Sequence, residues 1–94
     1  MRAGKLRPNP DVVYRRLEDE VVLVHLGTNG IFALNSTGAR LWQLIEQGHD
    51  EAEIRARLLQ EFDVTPSRLN REVDSVLAEL AHEGLVIREG GAAR

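Results

Sequence analysis

Residues 21–37 read Val21-Val22-Leu23-Val24-His25-Leu26-Gly27-Thr28-Asn29-Gly30-Ile31-Phe32-Ala33-Leu34-Asn35-Ser36-Thr37, and the apolar period changes inside this stretch. Residues 21–26 are rich in β-branched side chains, which suit a pleated strand. Residues 27–30 form a turn signal, because Asn29 and Gly30 both tolerate positive φ. Residues 31–34 are then a short strand. Asn35, Ser36 and Thr37 offer helix caps. Beyond them Leu41, Leu44 and Ile45 recur at helical spacing, with Trp42 at the border of that face.

Upstream, residues 12–17 supply another strand, closed by the turn candidate Glu18-Asp19-Glu20. Two turns joining three consecutive strands predict an antiparallel meander. Residues 1–11 are polar and carry Pro8 and Pro10, so they are expected to be a flexible arm.

Downstream the pattern is helical. Gly48 is placed to stop the first helix. Asp50 followed by Glu53 has the spacing of a capping box, ahead of an apolar face made by Ile54, Leu58 and Leu59. Thr65-Pro66 reads as a cap followed by proline at the first helical position. The third helix then carries the stripe Leu69, Val73, Val76, Leu77 and Leu80. Gly84 stops it, residues 85–87 are extended, and residues 89–94 are expected to fray. Strands followed by helices read as α+β: a three-stranded antiparallel sheet followed by three helices, in a winged helix-turn-helix-like arrangement. The domain is expected over residues 12–88.

Ninety-four residues with 43% apolar and 29% charged side chains are ordinary for one folded domain. The apolar run Val21 to Val24 falls far short of the roughly 20 residues that a membrane span requires, so no membrane association is expected. The charged start, Met1 to Lys5, has no apolar stretch behind it, so no signal peptide is expected. Absence of cysteine excludes disulfides and thiolate zinc sites. A cytoplasmic location follows as the expectation.

A winged-helix fold raises DNA binding as the alternative function, that of a transcriptional regulator. Arg68 and Arg71 lie near the start of the third helix, where base contacts are made in such folds. Glu72 and Asp74 lie beside them, however, and the chain carries a net charge of −3. Phosphate neutralisation needs the opposite sign, so no nucleic-acid partner is expected. Catalytic constellations are equally hard to find. His25, His49 and His82 fall in three different elements, and none forms a His-x-x-x-His pair. His25 reads as a strand residue with its tip in water. Ser36 and Thr37 read as caps. No enzyme activity, metal or cofactor is expected.

The run Gly30-Ile31-Phe32-Ala33-Leu34-Asn35-Ser36-Thr37-Gly38-Ala39-Arg40-Leu41-Trp42 resembles the signature of PqqD-like proteins. Leu44-Ile45 with Gly48, Glu53-Ile54, Leu58, Asp63-Val64, Glu72-Val73, Leu77, Leu80 and Gly84-Leu85 continue it in order, over about residues 12–88. The resemblance implies a recognition element for ribosomally made, post-translationally modified peptides. It would bind the leader segment of a precursor and present it to a separate modifying enzyme, such as a leader peptidase. The leader would add as a strand to the edge formed by Gly30, Ile31, Phe32, Ala33 and Leu34. It would lie beside a third helix contributing Arg68, Leu69, Glu72, Val73 and Val76. A chain serving pyrroloquinoline quinone synthesis would show Pro-Glu-Gly before the third strand and a tryptophan near the end. Here those places hold Gly27-Thr28-Asn29-Gly30 and Leu85-Val86. The resemblance is therefore nearer to the stand-alone proteins of lasso-peptide pathways, whose leaders carry a Tyr-x-x-Pro motif. An open strand edge also allows a second copy to pair, so a monomer or a weak homodimer is expected.

Overall fold

The structure is a computed structural model that describes residues 5–89. Elements follow in the order β1 (Lys5–Pro8), β2 (Val12–Leu17), β3 (Glu20–His25), β4 (Gly30–Leu34), α1 (Ser36–Glu46), α2 (Glu51–Glu61), α3 (Pro66–His82) and β5 (Val86–Glu89). β2, β3 and β4 form the predicted meander, in the order β2-β3-β4. The β3–β4 turn closes with the Asn29 N–H donating to the His25 carbonyl at 2.7 Å. Asn29 takes the left-handed conformation with φ 64°, whereas Gly30 does not and instead opens β4.

The helix ends follow the sequence signals closely. The Asn35 side chain accepts the Gly38 N–H at the start of α1. Asp50 and Glu53 form a complete capping box on α2, and Thr65 caps α3 ahead of Pro66. At the end of α1, Gly48 (φ 90°) donates its N–H to the Ile45 carbonyl and His49 to that of Leu44. The end of α3 repeats this Schellman geometry: Gly84 (φ 73°) donates to Ala81 and Leu85 to Leu80. That motif folds Leu85 back toward the helix end.

Residues 5–8 differ from the expectation of a flexible arm. They form β1 and pair antiparallel with β5, Lys5 opposite Glu89 and Leu6 opposite Arg88. Pro8 is tolerated because it ends the strand. Asn9 extends the contact: its N–H donates to the Leu85 carbonyl at 3.0 Å and its Nδ2 to the Gly84 carbonyl at 2.8 Å. Leu6 is the anchor, 3% exposed in the core. The folded unit thus reaches beyond both ends of the expected span 12–88. The expected fraying of residues 90–94 lies outside the described residues, as do residues 1–4. Truncating Leu6 to alanine should cost about 2–4 kcal/mol, the price of a buried leucine in a small core. Urea denaturation followed by circular dichroism measures it; an effect below about 0.5 kcal/mol would mean that the β1–β5 pair contributes little.

The core lies between the sheet and the helices. It joins Val21 and Leu23 of β3, Leu34 of β4, Leu41, Trp42, Leu44 and Ile45 of α1, Ile54 and Leu58 of α2, and Leu69, Val73, Leu77 and Leu80 of α3. Trp42, expected at a border, is fully buried, with Tyr14 of β2 packed edge-on against it at 6.3 Å. Leu59, expected on the apolar face of α2, is exposed, because Ile54 and Leu58 alone fill the contact there. His25 is buried, its Nδ1 accepting the Gly27 N–H at 3.1 Å. Its tip is thus enclosed by the turn and does not reach into water.

An exposed ion pair ties α1 to α2. Arg40 donates to both oxygens of Glu61, at 2.7 and 2.9 Å. Hydrogen bonding from Arg40 holds the Glu61 carboxyl below its ordinary value of 4.5. A depressed folded-state pKa stabilises above the unfolded value and is lost as pH falls through the folded one. Glu61→Gln should therefore lower stability slightly at pH 7, by less than about 1 kcal/mol for an exposed pair. The gap to the native chain should close below about pH 4. Urea midpoints measured from pH 3 to 7 test this, and a gap independent of pH would contradict it.

Candidate functional site

β4 has β3 as its one neighbour among the described residues, so its far edge is open. The hydrogen-bond phase determines which groups lie on that edge. In an antiparallel strand the N–H and C=O of one residue point to the same side, and the side alternates along the chain. Just past the end of β3, Leu26 donates its N–H to the Asp11 carbonyl, on the β2 side. His25 turns its carbonyl the other way, to Asn29 and the β4 side. Residues 21, 23 and 25 therefore bond across to Leu34, Phe32 and Gly30, their register partners. Ile31 and Ala33, opposite Val24 and Val22, are left with N–H and C=O facing outward. These two residues form a short, uncharged edge that carries no proline and can accept another extended chain.

A groove of about 200 Å³ runs beside this edge. Ile31, Phe32, Ala33 and Leu34 line it on the strand side, and Glu79, Leu80 and Leu85 on the other. Local geometry builds each wall. Gly30 has no side chain because the Phe32 ring lies over it: a Cβ there would sit 2.8 Å from Phe32 Cε2. Gly38 allows the start of α1 to approach Leu34, where a Cβ would meet that of Leu34 at 3.1 Å. The Schellman turn at Gly84 brings Leu85 back beside Leu80. The floor is thus apolar, with Glu79 as the one charged side chain in the lining.

The sequence-predicted helix residues separate into three groups. Leu69 and Val73 are 2% and 1% exposed, within the core, and do not line the groove. Val76 is half-buried and packs against the core. Arg68 and Glu72 are exposed and, with Arg71 and Ser75, line a second, open depression of about 510 Å³. On the strand the five residues stay together, with Ile31 70% exposed, Phe32 half-buried and Leu34 turned into the core. The apolar stripe of the third helix leaves Leu80 open as core or groove floor, with Glu79 at its flank, and both line the groove. Leu85 is the lining residue that sequence reasoning omits; Gly84, read only as a stop, is the signal that returns Leu85 to the helix end.

Among the described residues, no group of three or more histidine or carboxylate side chains could hold a metal ion. The His49 ring meets Glu53 at 3.3 Å on the surface. No described helix is long and apolar enough to cross a membrane.

Comparisons with known proteins agree with this geometry. The family model described as Coenzyme PQQ synthesis protein D (PqqD) matches residues 20–86. No curated protein matches the chain. Among solved structures, one described as TbiB1 in complex with the TbiA(beta) leader peptide is 34% identical. It superposes with a TM-score of 0.79, covering 93% of this chain and 99% of that one. A second, lasso peptide synthetase B1 complexed with the leader peptide, is 22% identical and shares the fold at a TM-score of 0.78. It covers 88% of this chain and 98% of that one.

Proposed function

Because the chain belongs to the PqqD family, we propose that it binds the leader segment of a ribosomally made precursor peptide by strand addition to β4. It presents that leader to a separate modifying enzyme, such as the leader peptidase of a lasso-peptide pathway, and has no catalytic step of its own. The observation that carries this reading is the outward-facing backbone of Ile31 and Ala33 beside an apolar groove. Backbone bonds supply affinity with little sequence preference, and the groove between Phe32, Leu80 and Leu85 supplies selectivity for an apolar side chain. The 34% identical structure, which holds a leader peptide, supports the same assignment. The free chain acts in the cytoplasm as a monomer, or as a weak homodimer through the same open edge.

Reading the chain as a duplex-binding regulator finds no comparable support. Arg55 on α2 is engaged by Asp74 at 2.6 Å and by Asn70 at 2.9 Å, and Arg40 by Glu61. These charges are already neutralised, and phosphate contacts would have to displace carboxylates.

Titrating the ¹⁵N-labelled chain with the leader encoded beside its gene should shift the amides of residues 31–34, 79–80 and 85 first. The chain alone should leave the precursor unprocessed. Binding that leaves these amides unmoved, or turnover without an added enzyme, would overturn the proposal.

A further inference from the structure

Among the described residues the meander has a second open edge, along β2. The phase that exposes Ile31 and Ala33 on one side exposes Tyr14 and Arg16 on the other. Val13, Arg15 and Leu17 bond across to Val24, Val22 and Glu20, their register partners. Val12 shares the outward phase, but its N–H is already taken by the Asn9 carbonyl at 3.0 Å. Tyr14 and Arg16 therefore present two sets of backbone donors and acceptors to an incoming strand.

The side chains there are unusual for an edge left to solvent. Val13, Tyr14 and Leu17 are 48%, 46% and 46% exposed, half of the six large apolar side chains that are exposed among the described residues. Arg15 and Arg16 lie between them, and neither forms an ion pair or hydrogen bond with a described residue. Edge strands are commonly guarded by charge alone. Arg15 shares one face of the sheet with Val13 and Leu17, and Arg16 shares the other with Tyr14; that pattern fits a guest strand carrying two adjacent carboxylates, one for each face, flanked by apolar residues.

We propose that the β2 edge docks an acidic, extended segment of a second protein, on the side of the sheet opposite the leader edge. The guest's carboxylates belong opposite Arg15 and Arg16. Its apolar or basic residues belong opposite the hairpin end, where Glu18, Asp19 and Glu20 crowd the turn. A second copy of this chain is a poorer occupant, because pairing β2 with itself would gather four arginines on one short ladder. The two edges together let the sheet hold a peptide on one side and a protein on the other, with β3 between them. That division of labour rests on the leader reading; the docking surface itself does not.

A built-in reporter accompanies this edge. Trp42 is the sole tryptophan of the chain. Tyr14 packs edge-on against it with rings 70° apart, and the buried indole N–H has no hydrogen-bond partner among the described residues. A strand seated on β2 that shifts Tyr14 will change Trp42 emission.

The test uses two short capped peptides, one carrying a Glu-Glu pair flanked by valines and the other a Lys-Lys pair in the same frame, titrated into the ¹⁵N-labelled full chain. The acidic peptide should move the amides of residues 13–17, change Trp42 emission and bind about tenfold more tightly than its basic twin, as two exposed ion pairs allow. Arg15→Glu with Arg16→Glu should invert that preference, whereas Arg15→Lys with Arg16→Lys should keep it. A leader titration run in parallel reads residues 31–34, so failure of the leader assignment is seen separately. Equal affinity for the two peptides, or shifts confined to Gly30–Leu34, would overturn the proposal. So would β2 shifts that appear on raising protein concentration alone, since the occupant would then be a second copy.

Discussion

Ala33→Pro should abolish most leader binding while leaving the fold intact. The Ala33 N–H points to the open side of β4, so proline removes a donor that the sheet does not use. The ring also fills space along which the guest backbone must run. Losing one backbone bond and the close approach of its neighbours should weaken binding about 10- to 100-fold. Phe32→Pro is the matched contrast. The Phe32 N–H faces Leu23 across the ladder, so its removal should unfold the hairpin. Fluorescence anisotropy of a labelled leader measures the first effect, and far-ultraviolet circular dichroism separates the two. Full-strength binding by a folded Ala33→Pro chain would show that the leader does not use this edge.

The second large effect lies in the core. Trp42 heads the fully buried side chains by size, at the junction of α1 with the sheet. Trp42→Ala should cost about 3–5 kcal/mol, from lost burial and the cavity left behind. A domain of this size has roughly 5–15 kcal/mol of total stability. The variant should therefore be partly unfolded at 37 °C, with its urea midpoint sharply lowered. A shift below about 1 kcal/mol would mean that neighbouring side chains collapse into the space. Trp42→Phe, which keeps most of the volume, should retain more than half of the lost stability.

What could be read from the chain beforehand was local. Asn35, the Asp50–Glu53 box and Thr65-Pro66 each satisfy orphan N–H groups within three residues, so their meaning does not depend on the rest of the fold. Gly48 and Gly84 were legible for the same reason. What was not legible required contacts distant in sequence. Leu6 is one leucine in a polar, proline-marked segment, and its strand partner is Arg88 at the other end of the chain. Nothing near Leu6 announces that pairing. His25 was misjudged because alternation places it on the buried face, where the turn at Gly27 supplies its hydrogen bond.

The candidate site divided along the same line. The strand half, Gly30–Leu34, follows from a meander whose last strand has nothing beyond it. The helix half depended on which of several apolar residues faces the sheet, and one stripe of leucines and valines serves both core and groove. Leu69 and Val73 went to the core. Leu80, about two turns beyond Val73 and three beyond Leu69, reaches the groove with Leu85.

Lys5 and Glu89 stand directly opposite one another in β1 and β5, so entry to and exit from the fold lie about 5 Å apart. A domain with adjoining entry and exit can be spliced into a surface loop of an unrelated host without stretching either partner. By the same geometry, joining residue 89 back to residue 5 through a short linker and opening the chain at the α1–α2 loop would give a circular permutant with both open edges of the meander undisturbed.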